Sequence, residues 1–110
     1  MPVVRIAAQR ITNWSTFHDV FDEALGFPAY YGRNMDAWID CLTYVDDPAT
    51  GMTRVTVGAG DVLTLQIEAV DEFARRCPEQ YDALIECSAF VNWRRIETGE
   101  RPIIALAFHK

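Results

Sequence analysis

Residues 25–43 of this 110-residue chain have the sequence LGFPAYYGRNMDAWIDCLT, and this stretch organises the fold on both sides of it. Gly26 is a typical helix stop, and Pro28 prevents the preceding helix from resuming. Asn34 has a short polar side chain that can cap a helix, and apolar residues recur at helical spacing after it. The stretch therefore predicts the end of one helix, a tight aromatic loop, and a second helix from about residue 35 to residue 44.

The second predicted helix has two faces of different character. At about 100° per residue, one side carries apolar residues that we expect in the core, namely Met35, Trp38, Leu42 and Val45. The opposite side is expected to face solvent and carries what we call the acidic strip, namely Asp36, Asp40, Thr43 and Asp47. Two large side chains flank the strip, Ile39 and Tyr44.

The acids of the strip permit two interpretations. Asp36 and Asp40 are like charges one helical turn apart, an arrangement that costs an isolated helix about 0.2–0.5 kcal/mol. A cationic partner would remove that cost, so the pair hints at a binding surface. Alternatively, Asp36 complements the helix dipole in the first turn, and Asp40 is an ordinary solvated residue. Spacing alone favours the second interpretation.

The rest of the chain alternates apolar strands with helices. We predict strands over residues 3–8, 62–67 and 102–108, and further helices over residues 14–25, 69–76 and from Pro78 to a stop at Gly99. Residues 46–61 form a polar connection, in which residues 53–57 are a candidate short strand. The order β-α-α-β-α-α-β predicts an α/β fold in one domain over residues 1–110, with a small three-stranded parallel sheet flanked by about four helices.

Composition restricts the function classes. Acidic residues outnumber basic ones by 16 to 10, which gives a formal net charge of −6. Binding to nucleic acid or to an anionic membrane surface needs the opposite charge, so we expect neither partner. A cationic protein partner is compatible with this charge, although the charge alone favours simple solubility as its explanation. Because no apolar run approaches the roughly 18 residues of a membrane span, we expect a soluble, cytoplasmic protein.

The residue pattern predicts neither catalysis nor a bound cofactor. The three cysteines have no zinc-site spacing and are expected to be free thiols: Cys41, Cys77 and Cys87. Asp36 and Asp40 are candidate ligands of a hard cation, but no nearby acids complete the roughly six to eight oxygen ligands of a calcium site. We therefore expect no enzyme activity, no metal and no cofactor. A metal-dependent enzyme that uses the two aspartates is the alternative, and it would lose its activity with a chelator.

A longer motif resembles a known family. Residues 25–37, followed by Asp40, Leu42 and Thr43, closely resemble the signature of the barstar family. That signature is a loop with leucine and proline, a Tyr-Tyr-Gly-x-Asn-Leu-Asp-Ala run, and a second helical aspartate. The resemblance implies a three-stranded parallel sheet flanked by helices. It also implies that the chain is a protein inhibitor of a ribonuclease, because the founding member of the family inhibits one.

Transferred by position, the resemblance implies a partner-binding site. The family's contact residues match Tyr30, Asn34, Met35, Asp36, Asp40 and Thr43. The two aspartates match the acids that meet the cations of the enzyme's active site, with Asp40 nearest to the phosphate site. Ile39 and Tyr44 belong to the same predicted surface, but they replace a tryptophan and a glycine of barstar. We therefore expect a different fit to the partner.

The end of the last long helix departs from the family pattern. Barstar has an acidic contact residue there, and this position holds Arg94, or Arg95 after a shift of one residue. Glu97 in the same turn is the candidate replacement. The partner is thus expected to differ from that of barstar.

The resemblance implies inhibition by mimicry, in which helix carboxylates occupy the positions of RNA phosphates in a basic ribonuclease. The biological role would be self-protection, as an immunity protein or antitoxin in the cytoplasm, and the free inhibitor is expected to be monomeric. The alternative is a barstar-like binding module for a different basic toxin or protein partner.

Overall fold

A computed structural model describes residues 2–110, and its centre is one parallel sheet. The sheet has three strands: β1 (Val3–Ile6), β2 (Leu63–Ile67) and β3 (Ile104–Phe108). They lie in the order β1-β2-β3, so each strand pairs with the next one along the chain. Parallel neighbours need a crossover between them, and helices supply both crossovers.

Four α-helices connect the strands: α1 (Trp14–Leu25), α2 (Met35–Thr43), α3 (Val70–Arg76) and α4 (Pro78–Glu97). Single 3₁₀ turns lie at Ala8–Arg10 and at Pro48–Thr50. The predicted element order and the predicted fold class are therefore confirmed. None of the helices described over residues 2–110 combines the length and the apolar character needed to cross a membrane.

Helix α1 begins and ends where the sequence predicts. The side chain of Asn13 accepts a hydrogen bond from the backbone N–H of Thr16, and the Thr16 hydroxyl caps Asn13 in return. Gly26 ends the helix with a φ of +72°, a conformation that favours glycine. A Cβ atom at Gly26 would lie 2.5 Å from Cβ of Arg54, so close packing also requires glycine there.

The strand prediction differs from the structure in several places. The third strand begins at Ile104 rather than at residue 102. The first strand ends at Ile6 rather than at residue 8, because the chain turns into the 3₁₀ segment. Residues 53–57 form no strand. The backbone N–H groups of Arg54 and Val55 both bond to the carbonyl of Leu25 at the end of α1, and that of Val57 bonds to the segment after α2. Because these donors bond to the ends of helices, no ladder with another strand forms.

The core lies between one face of the sheet and the helices. In β2, buried Leu63, Leu65 and Ile67 alternate with partly buried residues, as expected for a strand with one covered face. Helix α2 contributes Trp38 and Leu42, which are fully buried as predicted. Because Trp38 and Leu42 face the core, α2 is oriented with Asp36 and Asp40 on its solvent-facing side.

Candidate partner-binding surface

Hydrogen bonds on both sides of the N-terminus of α2 hold it in place. The Asn34 side chain accepts a bond from a backbone N–H in the first turn of α2 at 2.8 Å, as predicted for the cap. Nη2 of Arg33 donates to the carbonyl oxygen of Ser15 and to Oδ1 of Asp19, both at 2.9 Å. The loop is thereby attached to α1. Asp36 follows in the first turn, where the helix dipole stabilises negative charge.

Two adjacent tyrosines in the loop have opposite environments. Tyr31 packs on Phe27, and its hydroxyl lies 2.6 Å from Nδ1 of His18. Burial raises the pKa of Tyr31 far above its usual value, so this hydroxyl stays protonated. Tyr30 is 74% exposed, and its hydroxyl donates to Sδ of Met52 at 3.7 Å. The buried tyrosine anchors the loop, while most of the exposed one is accessible to a partner.

The residues predicted for partner binding fall into two groups by exposure. Six are exposed or partly buried: Tyr30, Asn34, Met35, Asp36, Asp40 and Tyr44. The other two, Ile39 and Thr43, are buried, so the prediction that the acidic strip faces solvent at Thr43 is wrong. Helix α4 packs against α2, and its Arg95 reaches the carbonyl of Thr43 at 2.9 Å. Thr43 accordingly bonds within its own helix, with Oγ1 donating to the carbonyl of Ile39 at 2.6 Å.

Five of the six accessible residues, all except Asp36, line three surface hollows around α2. Tyr30 and Asp40 line the same hollow, on the side of the aromatic loop. Asn34 and Met35 line a second hollow at the start of the helix. Tyr44 lines a third hollow, between the end of α2 and the end of α4. The predicted residues are thus spread along the length of α2, and their roles in binding remain predictions.

Asp40 is paired within the protein. Its Oδ1 accepts a hydrogen bond from Nη1 of Arg94 at 2.9 Å, and the two side chains are 51% and 38% exposed. Arg94 therefore offsets the repulsion between Asp36 and Asp40 and places a positive charge inside the acidic strip. A solvent-exposed pair of this kind contributes at most about 1 kcal/mol to stability. A cationic partner has to share Asp40 with Arg94 or displace it.

The neighbouring arginine is buried. Nη1 and Nη2 of Arg95 donate to the two carboxylate oxygens of Asp46, at 3.1 and 2.9 Å. Nη1 also donates to the carbonyl of Thr43 at 2.9 Å, and Nε donates to the carbonyl of Arg101 at 2.8 Å. This network joins the last turn of α4 to the last turn of α2. It fixes the C-terminal end of the helix that carries the acidic strip.

Neither arginine contact is predicted from the sequence. Arg94 and Arg95 stand out there as departures from the family pattern, and not as partners of Asp40 and Asp46. Two basic residues in the last turn of a helix also match its dipole, so no local signal distinguishes ion pairing from capping. Glu97 is exposed at the end of α4, and its proposed role as the replacement acid remains a prediction.

The structure also gives the state of the thiols. Cys41, Cys77 and Cys87 are free. Burial raises the pKa of the Cys41 thiol to about 11, with the nearby carboxylate of Asp40 acting in the same direction. A thiol in this state is protonated and is therefore a poor nucleophile. Within residues 2–110, no group of three or more His, Cys, Asp or Glu side chains is arranged to hold a metal ion.

We expect the free energy of unfolding to fall as the pH drops below about 6.5, the ordinary pKa of histidine. Burial lowers the pKa of His18 in the folded protein, and the Arg33 charge lowers it further against the opposing effect of Asp19. The unfolded chain therefore takes up a proton that the folded chain resists. The contribution is fully present above pH 6.5 and is lost as the pH falls towards the lower pKa of folded His18.

Chemical denaturation in small pH steps between about 7.5 and 5 measures this dependence, since carboxylates titrate mostly below that window. His18→Gln should flatten the dependence. His109→Gln is the matched control, because His109 is exposed at the end of β3, and it should keep the slope of the parent. An unchanged slope in His18→Gln would contradict the assignment.

Comparisons with known proteins agree with the motif over nearly the whole chain. A family model described as Barstar (barnase inhibitor) matches residues 1–105, which include all four helices. A protein of Bacillus subtilis (strain 168) named "Putative ribonuclease inhibitor YrdF" is 34% identical over 95 residues, covering 78% of this chain and 100% of that protein.

Proposed function

This chain belongs to the barstar family, and from that premise we propose that it binds a basic ribonuclease and blocks the active site with Asp36 and Asp40. In this proposal the two carboxylates occupy positions where the ribonuclease holds RNA phosphates. The chain performs no chemistry itself. It acts as a monomeric immunity protein in the cytoplasm and binds no nucleic acid directly.

The observation that carries the proposal is the placement of Asp36 and Asp40. They lie one turn apart on α2, at a separation of about 5–6 Å between Cβ atoms. Asp36 is exposed, and half of the Asp40 side chain is accessible. The net charge of −6 surrounds them with a negative field. A cationic active site is attracted by such a field from a distance and then meets two carboxylates at its centre.

Hydrogen bonds hold both ends of the helix that carries the two carboxylates. Arg33 attaches the start of α2 to α1, and Arg95 attaches its end to α4. Arg94 contacts Oδ1 of Asp40, and among residues 2–110 no hydrogen bond to Oδ2 is formed. A carboxylate accepts several hydrogen bonds, so Asp40 can receive a donor from the partner while Arg94 still orients it. A site held in its binding conformation loses less entropy on association.

The direct test is inhibition of RNA cleavage. Barnase and other basic microbial ribonucleases are titrated with the protein, and the rate of cleavage is measured. We expect loss of activity at a 1:1 ratio for at least one of them. The double variant Asp36→Asn with Asp40→Asn should fold normally and fail to inhibit. Full cleavage by every ribonuclease in the presence of micromolar protein would overturn the proposal.

We expect association with the ribonuclease to slow as salt concentration rises. Opposite charges attract over a range that ions screen to roughly 10 Å at 0.1 M ionic strength. The negative field of this chain should therefore accelerate encounter mainly at low salt. Stopped-flow mixing from low to high salt measures the rate. A rate that stays constant would indicate docking through apolar contacts instead.

A further inference from the structure

The outer face of α4 exposes two large aromatic side chains. Trp93 is 55% exposed and Phe90 is 44% exposed, and their ring centroids lie 5.6 Å apart. The core residues of this helix, such as Leu84 and Val91, lie on the opposite side. Neither ring is therefore needed to fill the core.

Acidic residues extend this aromatic pair along the helix. Glu86 lies one turn before Phe90, and Glu97 lies one turn after Trp93. Both glutamates are exposed. We call these four residues the aromatic stripe: Glu86, Phe90, Trp93 and Glu97. The stripe combines two π-faces with a negative charge at each end.

The aromatic stripe is continuous with the acidic strip on α2. Arg94 reaches Asp40 at 2.9 Å. Helices α2 and α4 pack against each other. Phe90 lies four residues before Arg94, so the two side chains are neighbours on the surface of α4. A partner seated on Asp36 and Asp40 thus lies beside Phe90.

We propose that the aromatic stripe is a second part of the partner-binding surface and holds an arginine or lysine side chain of the ribonuclease. This inference rests on the proposed function, because the same partner has to engage Asp36 and Asp40. A cation over an indole or phenyl face is attracted by the ring, and desolvation strengthens the attraction. Glu86 and Glu97 add charge-assisted hydrogen bonds at either end.

The negative charge of the stripe favours a basic ribonuclease over a second copy of this chain as its binding partner. Two copies each carry a net charge of −6, and apposed stripes would bring glutamates from both chains together. A basic protein has the complementary charge. Tryptophan is also enriched among the residues that dominate binding energy in protein interfaces. Trp93 is therefore expected to be the main contact of the stripe.

The test compares Trp93→Ala with Val3→Ala by calorimetric titration against a ribonuclease that the parent inhibits. We expect Kd to rise at least about tenfold for Trp93→Ala. Val3 is exposed to a similar degree, 53%, and lies on β1, which carries no residue of the stripe or of the acidic strip. Val3→Ala should leave Kd within about twofold of the parent.

A charge comparison and a fluorescence measurement complete the test. Glu97→Lys should weaken binding more than Glu72→Lys, which makes the same charge change on exposed Glu72 of α3. Acrylamide should quench Trp93 less in the complex than in the free protein, with Trp93→Phe supplying the background from the other tryptophans. Parent-like binding by Trp93→Ala, with inhibition intact, would overturn this inference and leave the proposed function standing. Failure of the parent to bind any basic ribonuclease would overturn both.

Discussion

Arg95→Met is expected to lower the free energy of unfolding by about 3–5 kcal/mol, the cost of removing one partner of a buried ion pair. The Arg95 side chain is 8% exposed, and the side chain of its partner Asp46 is 16% exposed. Without the guanidinium, the Asp46 carboxylate stays in a mostly desolvated place with its main counter-charge removed. The carbonyls of Thr43 and Arg101 also lose their donor. Urea denaturation followed by circular dichroism measures the loss.

Two further variants distinguish the stability lost by breaking the Arg95–Asp46 ion pair from the stability lost by removing any arginine. Arg95→Met combined with Asp46→Leu removes both charges and should recover most of the stability, because apolar replacement of a whole buried pair is often neutral. Arg94→Met makes the same substitution at the neighbouring, exposed pair and should cost no more than about 1 kcal/mol. An Arg95→Met protein as stable as the parent would show that the pair contributes little to folding.

The helices could be predicted well because their ends depend on local residues. Asn13 and Asn34 cap backbone groups within three residues of themselves, and Gly26 adopts its left-handed conformation at the end of α1. The apolar repeat in α2 correctly places Trp38 and Leu42 in the core. Because helices connect the three strands in turn, few topologies other than a parallel sheet remain.

Residues 53–57 show where local pattern fails. Their β-branched composition is typical of a strand, yet the N–H groups of Arg54 and Val55 bond to Leu25, which is about 30 residues away in the chain. The tight approach of Arg54 to Gly26 is likewise a contact between distant segments. Nothing within the segment itself specifies that its partners are a helix end rather than a strand.

The same limitation applies to the candidate site. A helical projection gives directions around α2, but it does not show which side another helix covers. Because Thr43 is buried and α2 ends there, the accessible part of the acidic strip on this helix is Asp36 and Asp40, while Asp47 lies beyond the helix. The contact of Asp40 with Arg94 joins residues 54 positions apart, so only the three-dimensional structure reveals it.

Asp40→Ala is expected to weaken binding of the ribonuclease by about 2–5 kcal/mol, a range that draws in part on the barnase–barstar complex itself. Asp40 is accessible in the free protein and would be desolvated against the partner's cation in the complex. Much of the cost comes from that cation, which would stay buried without a counter-charge. Stability should change by no more than about 1 kcal/mol, because only the exposed contact with Arg94 is lost. Calorimetric titration and thermal melts measure the two effects.

Matched variants distinguish a direct contact between Asp40 and the ribonuclease from long-range attraction by the net negative charge of the protein. Asp61→Ala removes one negative charge from an exposed loop, so it should slow association slightly and leave the dissociation rate unchanged. Arg94→Gln removes the cation that shares Asp40, and we expect faster and tighter binding because the partner no longer meets a like charge there. Binding by Asp40→Ala equal to that of Asp61→Ala would exclude Asp40 from the centre of the interface. Weaker binding by Arg94→Gln would instead mean that Arg94 serves mainly to orient the Asp40 carboxylate.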